Sequence, residues 1–237
     1  AGATADKQGP APTLVDFRAA LGEGVIYRLE AGPEVAPSSF DTPLSVEEDA
    51  RAIWVVTGPL RLEVSKQRFT LLEGVWLDRD SDGAFEDEER LLDMSESVVA
   101  DSVGTCFLGS RDAGDDCGAE VEEAGPEKAV VKAWGWHRSE DGRRWLRGLA
   151  RIYAYAGLPY ITIEYTFINA DPPGAASGGP MSLEVPPRPF WFYHNELSKQ
   201  AWDYLACLDL CFPIARGDTA MCQLGGSPPG AGTLVQY

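Results

Sequence analysis

Short runs in which apolar and polar residues alternate, separated by turn residues, dominate this chain. Leu60-Arg-Leu-Glu-Val64 alternates in steps of two, and so does Phe69-Thr-Leu71. A period of two puts successive side chains on opposite faces of a strand, so these runs predict half-buried β-strands. The clearest stretch is Ala129 to Asn169: AVVKAWGWH, a polar turn SEDGR, WLRGLARIYAYAG, a Leu158-Pro159 break and YITIEYTFIN. It predicts a three-stranded meander. In the last strand Ile161, Ile163, Tyr165 and Phe167 are expected to face the core, with Tyr160, Thr162, Glu164 and Thr166 on the other side.

The segments between the strands read as long surface insertions. Gly104 to Gly125 is acidic and Gly-rich, and Asp171 to Pro189 repeats Gly and Pro. A single helical turn is expected at Glu47 to Ala52, and no internal repeat is visible. The fold class expected is all-β, an antiparallel barrel or sandwich, with residues 1–237 as one domain and 1–13 as a flexible N-terminal segment.

One segment carries metal chemistry. The twelve residues Asp78 to Glu89, DRDSDGAFEDEE, place Asp78, Asp80 and Asp82 at positions one, three and five of a calcium loop. Gly83 follows at the sharp turn, the Ala84 carbonyl at position seven, Glu86 at nine and Glu89 as the bidentate ligand at twelve. The competing reading is a solvated acidic turn between strands. The flank Gly74-Val-Trp-Leu77 is short and β-prone, so a lone calcium site on a β scaffold is expected in place of a helix-loop-helix hand.

Composition narrows the partners. Acidic residues number 37 against 20 basic ones, for a net charge of −17, which opposes nucleic acid and anionic membranes. No apolar run approaches the roughly 20 residues of a membrane-spanning helix. The opening AGATADKQGPAPT reads as what a removed secretory leader or a trimmed sequence leaves behind, and an extracellular location is expected. Among five cysteines, Cys106 and Cys117 bracket a loop poor in core residues and are expected to form a disulfide. Cys211 and Cys222 are the second expected pair, leaving Cys207 as a buried apolar residue; zinc is disfavoured because no second close Cys or His pair follows Cys207 and Cys211.

The meander GPEKAVVKAWGWHRSEDGRRWLRGLARIYAYAGLPYITIEYTFIN resembles the N-terminal barrel domain of exo-rhamnogalacturonan lyases and the related YetA-like proteins. The resemblance rests on Arg151 to Tyr160 and Ile163 to Asn169, with the Gly58-Pro59-Leu60 strand and the closing Thr233 to Tyr237 in supporting positions. It implies a RIFT-related β-barrel that works beside an (α/α) toroid carrying the main substrate groove. No catalytic residue of that family matches a position here.

Without the resemblance, catalytic motifs are scarce. There is no G-x-S-x-G elbow, H-E-x-x-H, phosphate loop or dinucleotide fingerprint. Tyr193 and His194 could serve as an acid/base pair, although a buried aromatic strand explains Phe190 to Asn195 more simply. Trp134, Trp136 and His137 could form a sugar-stacking platform, with core or strand-surface packing as the default. The tripeptide Arg216-Gly217-Asp218 reads as a turn. Three functions follow in order. The first is a secreted, calcium-binding accessory barrel, non-catalytic by itself, that works on polysaccharide with other domains or subunits. The second is a free-standing extracellular protein that assembles with copies of itself, and the third is a small lyase using Tyr193 and His194.

Overall fold

The computed structural model describes residues 26, 32–34, 41–101, 104–169 and 205–214, and the backbone of strands 220–224 and 232–236. The chain divides into two units, Ala1–Phe40 and Asp41–Tyr237, and all the described strands lie in the second. The segments expected as a flexible 1–13 and a Gly/Pro-rich 171–189 loop fall outside the described residues.

Five strands form one antiparallel meander: β1 (Ser45–Glu48), β2 (Ala52–Val56), β3 (Leu60–Ser65), β4 (Gly74–Leu77) and β5 (Arg90–Leu92) pair in sequence order. The second sheet is built around two long strands, β9 (Lys128–Arg138) and β10 (Arg144–Tyr155), which pair along their length. Beyond β10 lies β11 (Ile161–Ile168). The other side of β9 is shared between β8 (Gly118–Ala124) and β7 (Cys106–Leu108), and β6 (Glu96–Asp101) then joins β7 to β12 (Leu205–Cys211). A separate hairpin joins β13 (Ala220–Leu224) to β14 (Gly232–Gln236). The expected all-β, antiparallel class holds, in its sandwich form. Among the described residues no helix is long and apolar enough to cross a membrane.

The core shows why the alternating runs fold this way. Ile53, Val55, Leu62, Val64 and Val75 point inward from the five-stranded sheet, while the inner face of β9 and β10 offers Ala129, Val131, Ala133, Ala150, Ile152 and Ala154. Large branched side chains thus meet a face largely of alanine, which lets the two layers interdigitate at ordinary core density. Between β3 and β4, Phe69, Leu71 and Leu72 fill the gap with at most 2% exposure. In β11, Ile161, Ile163 and Tyr165 pack on this core and Phe167 on a smaller cluster around Phe107 and Trp145, as the alternation predicts.

Two local expectations are overturned. Glu47 to Ala52 is a hairpin turn between β1 and β2: the Asp49 carboxylate accepts the amides of Arg51 at 2.6 Å and Ala52 at 2.9 Å, and Asp49 N–H bonds the Ala52 carbonyl. Those amides hold the Asp49 carboxyl below its ordinary range and offer the chain an alternative to a helical turn. Gly104 to Gly125 is likewise not irregular throughout. It holds β7, a 3-10 turn at Gly109–Arg111 and β8. The buried carboxylate of Asp112 organises this segment by accepting the Trp136 amide at 2.7 Å and pairing with Arg138.

Candidate functional site

The acidic loop runs from the end of β4 to the start of β5, through a 3-10 turn at Asp87–Glu89. Its sharp turn uses left-handed backbone at Ser81 (φ 64°) and Gly83 (φ 82°), the latter where a residue without Cβ is least strained. Asp78 closes the loop on itself: one carboxylate oxygen accepts the Ser81 amide at 2.6 Å and the other the Gly83 amide at 3.0 Å. Asp80 and Asp82 accept the amides of Asp82 and Ala84. One carboxylate oxygen from each of Asp78, Asp80 and Asp82 lies within 4.8 Å of the others. These bonds use part of each oxygen's accepting capacity, and the rest stays open to a cation.

Glu89 is the buried carboxylate of this loop. Its side chain is 8% exposed. Oε1 accepts the Arg79 amide at 2.6 Å, and Oε2 is buried with no hydrogen-bond partner. A buried carboxylate oxygen left without a donor costs free energy. Beside it, Glu86 sits close to the charges of both Glu89 and Asp82. Its carboxyl is held above its ordinary range: a backbone amide bond pulls it down, but desolvation and those two neighbours outweigh it. An orphaned acceptor and crowded like charges are what a divalent cation would relieve, but only Asp78, Asp80 and Asp82 are gathered as a ligand group, and Glu86 and Glu89 stand outside it.

The expected aromatic platform splits in two. Trp134 and Trp136 face outward from β9, half-buried, whereas His137 points into the core with no exposed surface. Trp134 lies across β8, where a Cβ on Gly118 would stand 2.9 Å from the indole, and the Lys132 ammonium is 5.3 Å from its ring centre. Trp136 carries the Arg144 guanidinium at 4.4 Å. The imidazole of His137 is part of the fold instead. Nδ1 donates to the Leu146 carbonyl at 2.7 Å, which leaves Nε2 to accept the Tyr165 hydroxyl at 3.0 Å.

That contact secures a bulge. The pairing of β9 and β10 slips between Trp145 and Arg147, and the residue between them, Leu146, has φ 46°. Because of the slip, Arg147 stands directly opposite Trp136. Sequence reading did not find Arg147, since the register across the hairpin depends on this bulge, which no local pattern announces.

The meander and the sandwich decide the family. Residues 44–176, more than half of the chain, match the family model described as "PcRGLX-like protein central beta sandwich domain". The chain belongs to this family. No curated protein matches the chain. The match agrees with the rhamnogalacturonan-lyase relationship suggested by the meander, and its description gives the matched domain as a central sandwich where the resemblance implied an N-terminal barrel.

In this PcRGLX-like domain the four cysteines whose side chains are described are unbridged. Cys106 and Cys117 are free thiols, as are Cys207 and Cys211, which corrects the expected Cys106–Cys117 disulfide. The loop has its own support, with the Cys117 thiol near the Gly114 carbonyl at 3.5 Å and Arg138 bound to both Asp112 and Asp116. Burial pushes the Cys117 thiol up, with Asp112 adding to it. Cys207 is half-buried on the outer strand β12, where a core position was expected. The side chain of Cys222, the Arg216 to Asp218 tripeptide, and the catalytic candidates Tyr193 and His194 lie outside the described residues.

Proposed function

We propose that this PcRGLX-like domain is a calcium-stabilised accessory module of an extracellular protein that acts on acidic polysaccharide, and that it cleaves no glycan by itself. The observation carrying the proposal is Glu89, buried with one carboxylate oxygen unpartnered at the end of a loop that gathers Asp78, Asp80 and Asp82. Calcium held by these residues, with Glu86 and the Ala84 carbonyl as further ligands, neutralises the cluster and ties β4 to β5. The lyase-related family supports the polysaccharide context.

Thermal unfolding with and without chelator tests the metal. An affinity of about 10⁻⁴ to 10⁻³ M is expected for such a module. At a calcium concentration about one hundred times Kd the native state gains about 2.7 kcal/mol. For a chain of this size that corresponds to a rise in Tm of about 5–10 °C. Glu89→Gln keeps an acceptor for the Arg79 amide but removes the charge, so it should abolish the calcium response. The response of the native chain should also weaken in acid, because metal and protons compete for the carboxylates. Identical melting curves with calcium and with chelator would rule the site out.

The non-catalytic half is read separately. Incubated with rhamnogalacturonan, with or without calcium, the chain should yield no new ultraviolet absorbance from unsaturated products. Sustained turnover lost in His194→Ala with folding intact would make the chain a lyase in its own right.

A further inference from the structure

The outward face of β9 and β10 holds a cation that no acidic side chain among the described residues neutralises. Lys132 is paired with Glu120 at 2.6 Å, Arg151 with Glu122 at 2.7 Å, and Arg138 with Asp112 and Asp116. Arg147 stands among them without an ion pair among the described residues, and its Nε is shut off from water with no acceptor. In a chain of net charge −17 a guanidinium with no acidic partner among the described residues is conspicuous. A guanidinium stripped of part of its hydration and lacking an acceptor gains more from an incoming anion than a fully hydrated one does.

Its neighbours describe the rest of the ligand. Arg147 is directly opposite Trp136 on one side and Ile168 on the other, and the next cross-strand row is Trp134, Leu149 and Thr166. Two half-buried indoles two residues apart on β9 give stacking surfaces about 7 Å apart along the strand. Arg144 lies against the Trp136 ring, and Arg147 follows on the same strand at the position opposite Trp136. A ligand suited to this face needs a C–H surface to lay on an indole and a single carboxylate to meet Arg147. A densely charged polyanion such as nucleic acid is repelled by the surrounding acidic protein.

We propose that this face binds an acidic sugar, with the carboxylate of a hexuronate ring on Arg147 and its C–H face against Trp136. The inference deepens the polysaccharide reading above and rests on it for the choice of a glycan. Binding here is reversible recognition with no covalent step. The planar fork of the guanidinium matches a carboxylate in a way an ammonium does not.

The test is calorimetric titration of the 237-residue chain with a single-ring uronate, the methyl glycoside of galacturonic acid, and with its methyl ester, in chelator and in calcium. The acid form should bind and the ester should bind roughly ten- to a hundred-fold more weakly, the range expected on losing one charge-assisted contact. Arg147→Met should lose binding of the acid form by a similar factor, Arg147→Lys should recover part of it, and Trp136→Ala should weaken both forms. Arg151→Met, whose guanidinium is engaged by Glu122, should bind as the native chain does. Thermal melting of Arg147→Met should be unchanged or raised, since an unsatisfied buried N–H has been removed. Equal binding of acid and ester, no binding of either, unaltered binding by Arg147→Met, or a dimer that buries Arg147 would each overturn the inference. A calcium-dependent Tm without acid-selective binding defeats this proposal alone. Acid-selective binding without a calcium response defeats only the metal site.

Discussion

Gly148→Ala is expected to lower Tm sharply, because the core has no room for one more methyl group at that point. A Cβ on Gly148 would stand 2.2 Å from the Tyr165 hydroxyl oxygen and 2.4 Å from Cε1 of Phe69. Gly135, its direct cross-strand partner, is as tight, with Phe69 Cβ at 2.4 Å. Phe69 is 1% exposed and enclosed by both sheets, so its ring cannot move aside. Overpacking of this kind costs about 3 kcal/mol or more at the upper end of its usual range, and at about 2–4 °C per kcal/mol that is a loss of roughly 6–12 °C. The double variant Gly148→Ala with Phe69→Leu should recover part of the loss, a non-additivity expected of residues in contact. Strictly additive losses would show that Phe69 is not what the methyl group strikes.

The second large effect is a loss of stability in mild acid that traces to His137. Burial pulls this imidazole below its ordinary value of 6.5, and the Leu146 carbonyl and Asp112 oppose that only in part. The folded protein therefore keeps His137 neutral at a pH where the unfolded chain already takes up a proton. Between 6.5 and the depressed folded value the unfolded state binds more protons, so stability falls as pH falls, by up to about 1.4 kcal/mol per pH unit. Above 6.5 the contribution is flat. Unfolding free energies measured from pH 7 to 5 should show this slope in the native chain and in His194→Gln, the other of the two histidines. His137→Gln should flatten the slope and lower stability throughout, since the Leu146 carbonyl and Tyr165 hydroxyl lose good partners, at about 1–3 kcal/mol for each left unsatisfied. A slope that survives His137→Gln would assign the acid sensitivity elsewhere.

Much of the sandwich was legible because strand periodicity is local. A run such as ITIEYTFI has one sensible way to lie on a hydrophobic layer, and its alternating burial follows directly. The gathering of Asp78, Asp80 and Asp82 in the acidic loop was legible for the same reason, since they lie within five consecutive residues. Composition misled where it stood in for pairing. The Gly- and Asp-rich stretch after Gly104 looked unstructured, yet β9 has a free side on which Gly118 to Ala124 can pair. Glu47 to Ala52 has residues that suit a helix, but Asp49 bonding to the amides that follow makes the hairpin turn better.

The sequence by itself determined the strand-forming runs, their inward faces and the clustering of carboxylates in the acidic loop, because each is set by neighbours within a few residues. Only the tertiary structure decided that the five-stranded layer packs on an alanine-rich inner face, that Glu89 is buried with an oxygen unpaired, and that His137 parts company with Trp134 and Trp136. It also decided that Arg147 stands opposite Trp136 without an acidic partner among the described residues. These depend on which strands pair, in what register and with which bulge, and that is settled by the burial of the whole core.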